Sequence, residues 1–402
     1  MQLMKLLHKT FQKELPSVHQ TRLKSLMKAS ETLVKANKLT LTALGRNLFG
    51  KAKTRSNIKK IDRLLGNPHL QLDRIAFYKH MSVRLITENA SPWIHIDWSC
   101  ICSVTNLYLL RASLSMPGRS IVIYEAAYPK KKENNHATHK LFLQQLKAIL
   151  PVSVKPIIVT DAGFRGPWFA YIRELGWDFV GRLRHKNLLR LDSTATWQLS
   201  QSFHEEATST PKYLGHAVLT QALQVPVQVV LYKGHKKNRH QFNKDKSHSQ
   251  GGMSARYARA HKEAWLLVTS LPSSKNIAQQ TVNIYFQRMR IEENFRDTKC
   301  THYGFGLKES RSRSTERMNV LLLIAAIATF ACWLAGISAQ KAGISADYQA
   351  HSSKFTTVLS TVYLGREVLK RNAHILKRYF TSALEALFEI NASAQLEVHT
   401  CE

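Results

Sequence analysis

Three acidic residues stand where chemistry could be done. Asp97 closes the run WIHID, Asp161 closes the apolar run KPIIVTD just before the turn AGF, and Glu292 lies in IYFQRMRIEENFRDTK, residues 284–299. Loops just beyond buried strands are where sites are assembled, so two strands that each end in aspartate are suggestive. Three carboxylates brought together cannot all stay ionised unless cations sit between them. Hard oxygen donors favour Mg²⁺ or Mn²⁺ over zinc. In a nucleic-acid-binding protein such a set would hold two ions about 3.5–4 Å apart, one activating water or a 3′-hydroxyl and the other stabilising the leaving oxygen.

The stretch 284–299 reads as one helix. At about 100° per residue, with Tyr285 at zero, Arg288 falls near −60°, Glu292 near −20° and Lys299 near −40°. Those four share a narrow stripe, while Glu293 and Asp297 fall off it, near about 80° and 120°. Glu292 is therefore the expected metal ligand, with Tyr285, Arg288 and Lys299 as phosphate clamps around it. A simple ion pair with Arg or Lys is the competing reading for such a glutamate.

The rest of the chain supplies the setting. Its 402 residues carry 58 Lys and Arg against 27 Asp and Glu, a net charge of +31. Self-repulsion of that size is most simply tolerated for a polyanionic partner, with nucleic acid first. Lys5, His8, Lys9 and Lys13 interrupt the N-terminal apolar residues, so no signal-peptide core is expected there and the predicted location is the cytoplasm. The five cysteines form no CxxC pair, and reduced thiols are expected. Residues 320–337 are uncharged, at the lower limit for a membrane span; the absence of a second span and the five alanines favour a helix buried in a protein core.

Several elements must position the acids. Residues 39–67 have a helix-turn-helix pattern broken at Gly50, and the second helix would present Arg55, Lys59, Lys60 and Arg63 to DNA. A helical hairpin with a merely solvated basic face has the same pattern. Strand-like runs at 93–99, 106–115 and 120–128 precede a helix at 139–150, a strand at 155–161, a helix at 167–176 and a strand at 177–184, an order that implies a mixed sheet with helical crossovers. Short strand runs then surround a charged stretch, 234–262, expected to be a mobile basic loop in contact with DNA. Helical periodicity returns at 276.

The gaps Tyr285-x2-Arg288-x3-Glu292-x6-Lys299 resemble without departure the Y-R-E-K signature of bacterial insertion-sequence transposases of the DDE superfamily. IDWS, VTDAGF and LTLTALGRNL extend the likeness, especially to the members carried by composite tetracycline-resistance transposons and also to those of kanamycin-resistance transposons. The resemblance implies an α/β fold with an RNase H-like mixed-sheet catalytic core, a β-rich insertion, an all-helical N-terminal DNA-binding domain and a helical C-terminal region. The corresponding boundaries are 1–85 for DNA binding, 86–186 and 276–345 for the core, 187–275 for the insertion, and 346–402 for a helical region suited to dimerisation.

It further implies Asp97, Asp161 and Glu292 as the catalytic and metal-binding triad, two Mg²⁺ per site with Mn²⁺ as substitute, and a homodimer paired on the inverted-repeat ends of a transposon before attack on target DNA. Nicking, hairpin formation, hairpin opening and strand transfer would all be in-line phosphoryl transfers at one site. Trp265 falls where related enzymes place an aromatic that stacks on a flipped base; a core tryptophan on a strand reads the same. Met289 stands where some relatives carry a second tryptophan.

The competing functions are a structure-specific RNase H-like nuclease and a non-catalytic DNA-binding regulator derived from a transposase. His136 with His139, and Cys100 with Cys102, lack partner pairs for a metal, and His95, on the strand face of Asp97, reads as structural.

Overall fold

The protein is described from a computed structural model, over residues 1–102, 106–184, 187–234, 263–350 and 358–396. It is mixed α/β, and contacts divide it into two compact units: Met1–Lys155 with Met289–Glu402, and Pro156–Arg288. The basic stretch, except for Gly234, lies outside the described residues.

The first unit begins with α1 (Gln2–Glu14), α2 (Gln20–Ala36), α3 (Leu41–Arg46), α4 (Thr54–Leu65) and α5 (Pro68–Ser82). Local chemistry sets their ends: Thr40 Oγ1 caps α3 by accepting from Ala43 N at 3.2 Å, and Asn67 Oδ1 caps α5, with Pro68 at its first position. Helices α3 and α4 cross closely because Gly45 has no Cβ; one would lie 2.6 Å from the Ile58 Cα. Next come β1 (Trp93–Cys102), β2 (Leu107–Met116) and β3 (Arg119–Pro129), an antiparallel meander with β2 in the middle. Gly118, at φ +67°, makes the β2–β3 turn. Helix α6 (His136–Ile149) follows, capped by Asn135.

The second unit holds β4 (Ile157–Thr160), α7 (Gly166–Glu174), β5 (Asp178–Leu183), β6 (Leu188–Leu191), β7 (Gln198–Leu199), β8 (Lys212–Leu219), β9 (Val225–Tyr232), β10 (Trp265–Thr269) and α8 (Ile277–Phe286). Strand β4 runs parallel to β5 through the α7 crossover, and β10 pairs antiparallel with both β5 and β9. The strand order is β4-β5-β10-β9-β8-β6-β7, so the strands of the 187–275 region extend the sheet that begins with β4.

The chain then returns to the first unit with α9 (Met289–Lys299), α10 (Thr315–Lys341), α11 (Thr361–Lys370) and α12 (Lys377–Leu396). Helix α10 contains the uncharged stretch. It is long and apolar enough to cross a membrane by length and composition, but it lies buried as the centre of this unit's helical core, packed by α1, α2, α5, α11 and α12. Its contact with α11 is backbone-close: a Cβ at Gly336 would strike the Thr361 carbonyl, and one at Gly365 would strike the Cys332 carbonyl.

One expectation is corrected. The segment 284–299 is two helices, α8 ending at Phe286 and α9 starting at Met289, joined by a turn in which Arg288 N donates to Tyr285 O at 3.0 Å. An i→i−3 bond of this kind tightens and ends a helix. The single-face argument therefore holds within α9, for Glu292 and Lys299, and does not carry across to Tyr285 and Arg288.

Candidate active site

In the first unit, Asp97 sits midway along β1 and not at its end as expected, because the strand continues to Cys102; it is half-buried, and its Oδ1 accepts from Trp98 N at 2.8 Å. Glu292 lies in the first turn of α9, where the helix dipole favours a carboxylate, and Lys299 in its last, where it favours a cation. Asp97, Ser99, Glu292, Lys299 and Lys308 line one open cavity of about 570 Å³. The Lys299 ammonium donates to Ser99 Oγ at 2.5 Å and to the Cys100 carbonyl at 3.3 Å. Burial pulls its pKa below the ordinary lysine value, assisted by Lys308 and Arg111 and opposed by Cys100 and Asp97.

The adjacent glutamate has a different environment. Arg119 Nη1 donates to Glu293 Oε2 at 2.9 Å, and Arg119 Nε lies 3.1 Å from Asp297 Oδ2. Glu292 lines the cavity, and Glu293 does not. A larger cavity, about 640 Å³ with Ala325, Ala326 and Cys332 among its lining, opens along another face of α9. The smaller one is lined by Asp97 and Glu292, two of the three acids that the sequence singles out.

In the second unit, Asp161 follows β4 and its Oδ1 accepts from Gly163 N at 2.8 Å. A Cβ at residue 163 would lie 3.0 Å from that oxygen, so a side chain there would press on the Asp161 carboxylate. Tyr285 is buried and hydrogen-bonded by Arg182 and Arg288. Burial raises its pKa, the two arginines oppose this, and Asp161 is close enough to add to it. Trp265 is half-buried at the start of β10, with ring centroids of Tyr285 at 4.9 Å, Phe286 at 5.1 Å and Tyr232 at 5.6 Å. Sequence reasoning missed Arg182, and it missed Arg184, which is bonded to Glu263. The alternation in GRLR, which puts both arginines on one strand face, was the available signal.

On α4, Arg55, Lys59, Lys60 and Arg63 are all exposed, while Ile61, Leu64 and Leu65 are buried. His139 accepts from the Trp98 indole at 3.0 Å, and burial brings its pKa down to about 4; His95 is fully buried.

Asp97 and Glu292 offer the hard donors that a divalent cation takes. Among the described residues no group of three or more His, Cys, Asp or Glu side chains is assembled for a metal, so the first unit alone contributes two carboxylates to its cavity.

Carboxylates in an open cleft edged by lysines, within a chain of net charge +31, define a protein built to handle a polyanion. The transposase DDE domain family matches residues 116–330, more than half of the chain, and the chain belongs to that family. The matched span contains Asp161 and Glu292 and begins beyond Asp97. DNA is the partner that membership implies. Comparison with curated proteins gave no match.

Proposed function

We propose that the chain is a DNA transposase that moves an insertion sequence by cut-and-paste transposition on an RNase H-like core, acting as a homodimer on paired inverted-repeat ends. The observation that carries this reading is the meeting of Asp97 and Glu292 at one cavity beside Lys299, in a chain of the transposase DDE domain family. Asp97, Asp161 and Glu292 are the proposed ligands. Two Mg²⁺ ions, or Mn²⁺ in their place, would supply activation of the attacking hydroxyl and stabilisation of the leaving oxygen.

The chain's own residues have separate tasks. Lys299, fixed at the cavity wall by Ser99 and the Cys100 carbonyl, presents positive charge to a scissile phosphate. Arg288 contacts phosphate, and Tyr285 orients the Arg288 and Arg182 guanidinium groups that bond it. Trp265 offers an aromatic face on which a base extruded during hairpin formation can stack. Arg55, Lys59, Lys60 and Arg63 hold the end sequence through its backbone.

Asp97→Asn, Asp161→Asn and Glu292→Gln each remove a ligand charge with little change of shape. Each is expected to abolish nicking of an end-bearing duplex in Mg²⁺, a larger loss than the roughly 10–100-fold cost of removing an outer-shell partner, while end binding persists in a gel assay. Wild-type nicking by any of the three would overturn the assignment.

A further inference from the structure

Under α9 three polar side chains are buried together: Arg111 of β2, Glu125 of β3 and Asn294 of α9 are 1%, 0% and 5% exposed. Arg111 Nε donates to Glu125 Oε2 at 2.7 Å, its Nη2 lies 2.6 Å from the same oxygen, and its Nη1 donates to Asn294 Oδ1 at 2.5 Å. Asn294 Nδ2 donates to the Ser120 carbonyl at 2.9 Å, and Arg74 Nη2 donates to the Glu125 carbonyl at 2.8 Å.

The register gives this cluster its significance. Arg111 is the ladder partner of Asp97 on one side and of Glu125 on the other, so Asp97, Arg111 and Glu125 form one row across three strands. Directly opposed residues project to the same sheet face, with Cβ atoms about 4.5–5.5 Å apart. Asn294 follows Glu292 by two positions on the helix that the row holds.

A buried ion pair is a poor source of stability, because desolvation offsets the attraction and well-packed apolar side chains of similar volume do as well or better. What the guanidinium fork adds is direction, since its donors fix the lateral place of the helix that an apolar contact would leave free to slide.

The geometry points to Arg111, with Glu125 and Asn294, as positioning residues that set the place of Glu292 relative to Asp97. This rests on the reading of those two carboxylates as metal ligands.

The test uses full-length protein with Mn²⁺ alone as probe, followed by electron paramagnetic resonance, beside melting curves and Mg²⁺ titrations of nicking. The Arg111→Met/Glu125→Leu double variant removes both members of the ion pair, and Arg74 keeps its bond to the backbone carbonyl of residue 125. Asn294→Leu keeps the ion pair and cuts the bonds that join α9 to Arg111 and to the Ser120 carbonyl. Both are expected to melt cooperatively and bind DNA ends, yet to bind Mn²⁺ about tenfold or more weakly and to need correspondingly more Mg²⁺ for half-maximal nicking, as outer-shell losses do.

Wild-type Mn²⁺ affinity and Mg²⁺ requirement in both variants would overturn the positioning role. So would loss of the melting transition in both, because the cluster would then be holding the whole unit together. Asp97→Asn and Glu292→Gln separate the two levels. If they bind Mn²⁺ as wild type does, the metal reading itself fails; if they lose it while the cluster variants keep it, only the positioning role fails.

Discussion

Glu292 and Glu293 are chemically identical neighbours about 100° apart on one helix, and that angle separates their environments. Glu293→Gln removes a partly exposed ion pair with Arg119, worth roughly 0.2–1 kcal/mol, and should leave nicking nearly intact where Glu292→Gln abolishes it. The reverse pattern, measured on one end substrate, would sink the assignment of Glu292. For Trp265→Ala the expectation is a near-normal first nick and slower hairpin formation, by about tenfold for a stacking loss of about 1–3 kcal/mol, with partial rescue by an abasic nucleotide at the flipped position. Equal loss of both products with a lowered melting temperature would make Trp265 part of the Tyr232–Tyr285–Phe286 packing instead. At this scale the sequence was informative for Asp161, because an apolar run ending in aspartate is visible in one dimension, whereas for Asp97 the strand runs on to Cys102 through residues that do not read as apolar strand. Arg111 was not visible. Nothing in LYLLRASLSM distinguishes an arginine that reaches solvent from one buried against Glu125 and Asn294.

At the scale of elements, the order β-β-β-α-β-α-β up to Leu183 was legible from hydrophobic period and turn residues. The break between α8 and α9 was not, since helical spacing continues through a tight turn without changing residue types. The two sides of that break are held differently: Tyr285 and Phe286 pack on Trp265, while α9 is tied to β2 and β3 through Arg111 and Arg119. Short strands β6 and β7 went unread because four and two residues leave no usable period.

Another element-scale device joins α1 to α5. His80 lies 3.1 Å from Glu14 and accepts from Arg84 Nε at 3.1 Å, and burial first, then Arg84, lower its pKa to about 4. Below the ordinary value of 6.5 the unfolded chain takes up a proton that the folded one refuses until about pH 4. Stability is therefore whole above pH 6.5 and declines between about 6.5 and 4, by on the order of 1–3 kcal/mol. His80→Gln should flatten that part of a melting-temperature profile; an unchanged slope would assign the acid sensitivity to other groups.

For the whole molecule, the dominant quantity is charge. A protein of net +31 that touches several phosphates releases counterions on binding, so log affinity should fall with log salt by about 0.9 per phosphate contacted. Arg55→Ala, Lys59→Ala, Lys60→Ala and Arg63→Ala, all on the exposed face of α4, should each reduce the slope by about one if that residue meets phosphate directly. Slopes equal to wild type in all four would leave α4 with a solvated face only.

The central place of α10 also bears on how the chain is made. Synthesis proceeds from the N-terminus, so α1, α2 and α5 exist when this helix leaves the ribosome, whereas α11 and α12, which cover the rest of it, do not. For that interval an uncharged 18-residue stretch lacks part of its cover, and the backbone-close seat at Gly336 waits for Gly365. A chain stopped at Gly343 should accordingly collect on chaperones or in the insoluble fraction, and stalled ribosomes should release soluble product only once α12 has been translated.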